Sequence, residues 1–553
     1  MKRLSLFLMI LLIPGAALAQ HEHHPASGAK PASLIPGLGE VNHPVTTSNA
    51  EAQRFFDQGL ALVYGFNHEE AVRAFKRAAE LDPSLAMAHW GVALALGPNI
   101  NMPMDAEHHK LAYEAVQKAL SLASKASERE RAYIEALSKR YSNAPNADVM
   151  KLSVAYKDAM KEVMKRYPDD LDAATLYAES LMDLRPWNFW GPDGKPNEGT
   201  EEMVAVLESV LKRNPDHIGA NHYYIHAVEA SLHPEWALPA AQKLKSLAPA
   251  AGHLVHMPAH IDMRVGNYEA AARSNAYAAV ADEELFKISG KQGMYPAMYY
   301  THNLHFLAIA HSFQGRYDDA IKAAARVDAH LAPYFKDSSA AAQMLGMLDV
   351  FTPTSILINV RFHRWDDILK TAAPDRRLPG TTGIWHFGRG LALAAAGKID
   401  GAESELNALV ALEKGLSPDA PFGINKASNI LKIAEHMLAA RIGVAKNDRK
   451  AAIELLKKAV EVEDALSYNE PADWYIPARE ALGAVLISDG NYVEAERVFR
   501  ADLVKNPRSG RSLFGLAESL KAQGKTAAAA FVQKEIDAAW KNADVRLRIQ
   551  DFF

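Results

Sequence analysis

The 553-residue sequence contains no cysteine. That excludes disulfides, thiolate metal sites and a cysteine-linked lipid anchor. Charge of one sign is also scarce: the formal net value is −5, too mild for the electrostatic footprint of a nucleic-acid-binding protein. Alternating apolar and polar runs of strand type are missing, and alanine is abundant, so closely packed helices are expected throughout. Long hydrophobic runs are absent too. The one apolar stretch near the start, Leu4 to Ile13, is too short to span a bilayer.

That stretch follows Met1-Lys2-Arg3 and precedes Pro14-Gly15 and Ala17-Leu18-Ala19. Basic start, short apolar centre and small-residue exit describe a secretory signal peptide over residues 1–19. The expected location is periplasmic or secreted, with no membrane span. Residues 20–49, rich in His, Pro, Gly and Ser, read as a flexible lead-in. Its His21, His23 and His24 are a solvated tail or a loose copper or zinc binder.

From residue 50 the sequence repeats itself. Phe55, Gly59, Ala71, Phe75, Ala78 and Pro83 reappear in kind as Gly483, Tyr492, Ala495, Phe499 and Pro507. The turns Gly266-Asn267-Tyr268-Glu269-Ala270, Gly315-Arg316-Tyr317-Asp318-Asp319-Ala320 and Gly490-Asn491-Tyr492-Val493-Glu494-Ala495 share one pattern. This pattern resembles the tetratricopeptide (TPR) repeat family over nearly the whole chain after residue 50. The resemblance implies an all-α fold, a right-handed α-α superhelical solenoid of TPR-like helix hairpins. Residues 50–330 are expected to carry a His-rich groove, and residues 331–553 to be further TPR-like repeats. Inserts at 97–104, 185–196, 288–296 and 469–475 interrupt the repeats. They read either as lids and binding loops or as decoration of the solenoid edge.

Histidine is what the repeats have in surplus. Three segments, Asn221 to Glu229, Gly252 to His260 and Thr301 to His305, carry it at matching points. Pro168, Pro215 and Pro249 close successive units. Seven residues beyond them stand Thr175, His222 and His256; eleven beyond stand Glu179, His226 and His260. His302 and His305 precede Gly315 by the same steps as His253 and His256 precede Gly266. Steps of three and four residues return to one helix face. Two stripes are therefore expected, His222, His226 and Glu229 on one helix and His253, His256 and His260 on the next. His302 or His305 would complete the second group.

In the TPR family the first helix of each pair lines the concave groove, so the resemblance implies that these stripes point into it. Imidazole and carboxylate without Lys or Arg is a metal-site composition. The expected ligands are His222, His226, Glu229, His253, His256, His260, His302 and His305. The expected ion is copper, iron or zinc, with copper favoured at cysteine-free imidazole sites by the Irving–Williams order. Met257, Met263, Met294 and Met298 lie near the motifs, as soft donors or as core filling. Glu179 and Asp262 are candidate carboxylate partners for ligand imidazoles. The spacing is not His-Glu-x-x-His, so the zinc-protease mechanism is not indicated.

The motifs around His222, His256 and His302 are similar to those of exported bacterial TPR proteins without a settled activity. That resemblance implies fold and export, not chemistry. Two functions stay open at this point. One is an exported solenoid binding transition-metal ions, with metal-assisted redox or hydrolytic chemistry. The other is a metal-free scaffold that binds a protein or peptide partner in its concave groove.

Overall fold

The structure, a computed structural model, describes residues 32–290, 293–336 and 342–553. The leader at 1–19, the first part of the lead-in with His21, His23 and His24, and residues 291–292 of one insert lie outside the described residues. The rest is a right-handed α-α superhelical solenoid of TPR-like helix pairs. The first pair is Ala50–Tyr64 with His68–Leu81, and the last is Gly510–Ala522 with Thr526–Ala539. Strand among the described residues is confined to a two-stranded hairpin, Pro421–Phe422 with Asn425–Lys426.

Repeat packing follows from small residues facing one aromatic. The Phe75 ring lies between Gly59 and Gly91, where a Cβ would approach it to 2.6 and 2.4 Å. Phe499 repeats this between Gly483 and Gly515, at 2.4 and 2.2 Å. No larger side chain fits at these glycines without moving a helix. The turn glycine of the Gly-x-Tyr motif is equally constrained: Gly315 and Gly490 have φ of +73° and +79°, a left-handed conformation that other residues adopt only with strain.

Three of the pairs that matter open in register. Their first helices, Leu171–Met182, Ile218–Val228 and Gly252–His256, each start three residues past Pro168, Pro215 and Pro249. Asp170 and His217 cap the first two by accepting from the backbone N–H of Ala173 and Ala220. The third helix is interrupted at Pro258, which has no N–H to donate, and continues as Pro258–Arg264.

Distant repeats also meet. The Tyr268 hydroxyl donates to the Pro507 carbonyl, and the backbone N–H of Tyr317 donates to Asp544. Arg361 and Arg511 both pair with the buried Glu480. These contacts join the 268–361 region to repeats 119 to 239 residues further on.

One expectation needs correcting. Residues 32–49 are not a free lead-in. Ile35 and Leu38 are buried, the Ile35 N–H donates to Gln58, and the Ala250 N–H donates to the Gly37 carbonyl. His43 is buried too and donates from Nδ1 to Asp172 at 2.7 Å. The stretch carries enough apolar surface to dock, which its Pro and Gly content conceals.

Candidate metal centre

The registered helices bring six imidazoles together as two adjoining trios. His222, His226 and His253 form one; His256, His260 and His302 form the other. Within the first, His222 Nε2 lies 3.1 Å from His253 Nε2. Within the second, His256 Nε2 lies 2.8 Å from His260 Nε2 and 3.2 Å from His302 Nε2. The trios touch: ring centroids of His226 and His260 are 5.5 Å apart, and those of His253 and His256 are 5.7 Å apart. All six are buried except the half-buried His302.

The grouping differs from the two stripes the spacing predicts. His253 joins His222 and His226 across the helix boundary, and His302 completes the set of His256 and His260. His305 enters neither trio. Its Nδ1–H donates to Thr354 Oγ1 at 2.8 Å, because that hydroxyl gives its own proton to the Phe351 carbonyl. Burial pushes the His305 imidazole down to about 3.

Glu229 sits between the trios. It accepts from His226 Nδ1 through Oε1 and from His260 Nδ1 through Oε2, both at 2.6 Å. The Tyr468 hydroxyl adds a third hydrogen bond to Oε2 at 3.1 Å. Burial alone would raise the Glu229 carboxyl, but the His260 and His226 imidazoles outweigh it and hold the group well below the usual carboxylate range. With both oxygens taken by ring N–H groups, this carboxylate orients two imidazoles.

Those hydrogen bonds also fix tautomers. The Tyr64 carbonyl, which only accepts, lies 2.6 Å from His222 Nδ1, so that nitrogen carries the proton. His256 Nδ1 lies 2.8 Å from Asn275 Oδ1, and the Asn275 amide is oriented by its own donation to the Ala271 carbonyl. His222, His226, His256 and His260 therefore all turn a bare Nε2 lone pair toward the cluster. His256 and His260 do so against each other at 2.8 Å, with no proton between them while both rings are neutral. Burial, followed by the neighbouring imidazoles, lowers His222, His253, His256 and His302 well below the usual histidine range. Protonating His256 to relieve the clash is therefore disfavoured. Converging lone pairs held by outer hydrogen bonds are the arrangement that a cation satisfies. The donor set, three imidazole nitrogens per trio, suits Cu, Zn or Fe.

A cavity of about 190 Å³ opens onto the cluster. Four ligand candidates, His226, His253, His260 and His302, line it together with His305. Its walls come largely from the inserts: Met102 from 97–104, Trp187 from 185–196, and Glu470 and Asp473 from 469–475. Trp187 stands edge-on to His226 at 5.3 Å, and Tyr299 edge-on to His253 at 4.8 Å. Phe66 packs on the other side, 4.5 Å from the His222 ring. The chain's own aromatic side chains pack against the histidines.

Several sequence candidates fall elsewhere. Glu179 belongs to a separate buried cluster with Asp183 and Arg140. Asp262 accepts from Asn267 in the following turn. Met257 and Met263 are buried in the core, whereas Met298 lines the cavity. The sequence reading overlooked Asn275, the Tyr64 carbonyl, Phe66 and Tyr468. It also overlooked His43 and His217, which converge on Asp172 together with the Tyr64 hydroxyl. None of these stands in the histidine stripes, so spacing along a helix does not mark them.

Fold and site together define a TPR-like helical solenoid with a buried histidine cluster, and such solenoids present extended binding surfaces. No family model matches the chain, and no curated protein matches it. Solved chains of similar arrangement include yeast Tom70, at 13% identity, covering 88% of this chain and 90% of that one, with a TM-score of 0.30. Human IFIT1, solved as a dimer with m7Gppp-AAAA, is 13% identical over 91% of this chain and 92% of that one, with a TM-score of 0.32. The TPR domain of P58(IPK) is 10% identical over 86% and 99%, with a TM-score of 0.20. The fold assignment rests on the chain's own helix pairs. No helix among the described residues is long and apolar enough to cross a membrane.

Proposed function

We propose that this protein is an exported metal-binding solenoid that holds a pair of transition-metal ions, one in each histidine trio. The ligands are His222, His226 and His253 in one site and His256, His260 and His302 in the other. Glu229 holds the Nδ1–H of one imidazole in each and so ties the two sites together. The observation that carries this reading is the His256–His260 pair, whose two Nε2 atoms face each other at 2.8 Å with both protons committed on the far side of the rings. Copper is the first candidate, since every ligand is an imidazole and no thiolate competes; zinc and iron follow.

Three protein ligands per ion leave an open coordination position, as catalytic sites do and closed structural sites do not. Two imidazoles of each trio line the cavity. The metal-free scaffold reading needs the histidines free to meet a partner, and Phe66 and Trp187 pack against two of them while Tyr468 bonds to Glu229. The deciding measurement is the metal content of the mature protein purified without a His tag. About two equivalents are expected in the wild type, and near none in a His222→Ala/His256→Ala double variant that remains folded. A wild type that stays empty when offered Cu(II), Zn(II) and Fe(II), yet captures a peptide partner, would overturn the proposal in favour of the scaffold.

A further inference from the structure

The cavity over the histidines has two kinds of wall. Its floor is imidazole. Its sides are aromatic and thioether: Trp187, Met298, Tyr299 and Phe351, with Ile424 from the hairpin turn. Among the described residues no Lys or Arg lines it, so in the metal-free protein nothing there would neutralise an anion. Burial raises the two acids at its edge, Glu470 to about 7 and Asp473 to about 6, and the Asp473 oxygens accept from Asn425 and Asn469. In the metal-free cavity an anionic ligand would be desolvated without a partner and would meet carboxyl groups on entry.

Size sets a second limit. A dry apolar cavity of about 150 Å³ takes one benzene ring, and this one measures about 190 Å³. One ring and a polar substituent suit a volume of this size. Ring edges from Trp187 and Tyr299 and the flexible Met298 side chain suit a flat aromatic body. The imidazole floor, loaded with metal, suits a single oxygen donor. Apolar walls with a few polar groups converging at one end are the usual form of a small-molecule site.

We infer that this cavity binds a small neutral one-ring phenol, ring against Trp187, Met298 and Phe351, hydroxyl toward the histidine trios. The orientation rests on the proposed metal sites; the apolar half of the pocket does not.

Phenol and benzoate separate the alternatives, since both carry one ring and differ in charge. Binding of each is measured calorimetrically to metal-free and metal-loaded protein, with metal content determined on the same samples. Phenol is expected to bind saturably to both forms, at least tenfold more tightly to the loaded one, with benzoate at least tenfold weaker than phenol on the metal-free form. Met298→Trp, which fills the cavity from its half-buried wall, is expected to weaken phenol at least tenfold with metal content unchanged. Absence of saturable phenol binding, benzoate binding equal to phenol on the metal-free form, or an unaffected Met298→Trp variant would each overturn the inference. Equal phenol affinity with and without bound metal would overturn the orientation alone. A protein that takes up no metal but still binds phenol would sink the metal reading while leaving the pocket in place.

Discussion

Glu229→Gln tests the site with the smallest change of shape. The carboxylate has two acceptor oxygens, and each takes an Nδ1–H at 2.6 Å, one from His226 and one from His260. Glutamine keeps one acceptor and replaces the other with an NH₂ donor. One imidazole then faces a donor. It can bond to that group only by moving its proton to Nε2, which removes Nε2 from the ligand set. The other keeps a neutral hydrogen bond in place of a charge-assisted one, roughly half as strong. Losing such a partner typically costs about 10- to 100-fold in metal affinity, or about 1.4–2.7 kcal/mol. Because the two imidazoles belong to different trios, one substitution weakens both sites. The assay is competition against a chromophoric chelator, with stoichiometry by elemental analysis and circular dichroism to establish that the variant is folded. A folded Glu229→Gln protein that holds both equivalents within about threefold of wild-type affinity would refute the assignment of Glu229 as the shared support.

Two further outcomes follow from the same geometry. His302→Ala should lose about one metal equivalent and His305→Ala none, since His302 completes a trio while His305 is committed to Thr354; equal losses would contradict the grouping. Asp282, fully buried and accepting from Tyr295 and Asn303, is pushed up to about 7 by burial, against an ordinary value of 3.8. Its contribution to stability is therefore complete below about pH 4 and is lost as pH rises through 7, a change on the order of 4 kcal/mol. Asp282→Asn cannot ionise, and Asn303 has an unpartnered Oδ1 that can turn to accept from the new amide. Denaturant unfolding between pH 5 and 8 should show the variant losing less stability than the wild type; parallel profiles would refute the argument.

How much of this was legible in the sequence depends on whether the information is periodic. Gly59 and Phe75 recur as Gly483 and Phe499 because every repeat must solve the same packing problem, so the solenoid could be read from them. The histidine register was legible for the same reason: three prolines three residues ahead of three helices fix equivalent starting points. Which imidazoles share a nitrogen-lined space was not legible. Spacing along a helix puts His253 with His256 and His260, but the approach of the preceding repeat hands His253 to His222 and His226. Glu229 stood in the same stripe as the ligands, and only the position of His260, 31 residues on, gives it two imidazoles to hold. The docking of residues 32–49 was hidden behind a turn-rich composition.

The outer hydrogen bonds bear on why the cluster is buried at all. Burying six imidazoles, two of them with opposed lone pairs, costs free energy in the absence of a cation, and the solenoid has no need of them to fold: the positions equivalent to His222 and His226 in the preceding unit hold Thr175 and Glu179. The support around them comes from four separate parts of the chain, the Tyr64 carbonyl, Glu229, Asn275 and the Tyr468 hydroxyl. Tyr468 lies 239 residues from Glu229 in sequence, beyond several complete repeats. A local accident of repeat drift would not recruit a loop from that distance. A cation that binds the folded state alone would offset the repulsion and add stability in proportion to the logarithm of its concentration over Kd. The metal pair would then act as a clasp between the 218–313 repeats and the returning 468–475 loop.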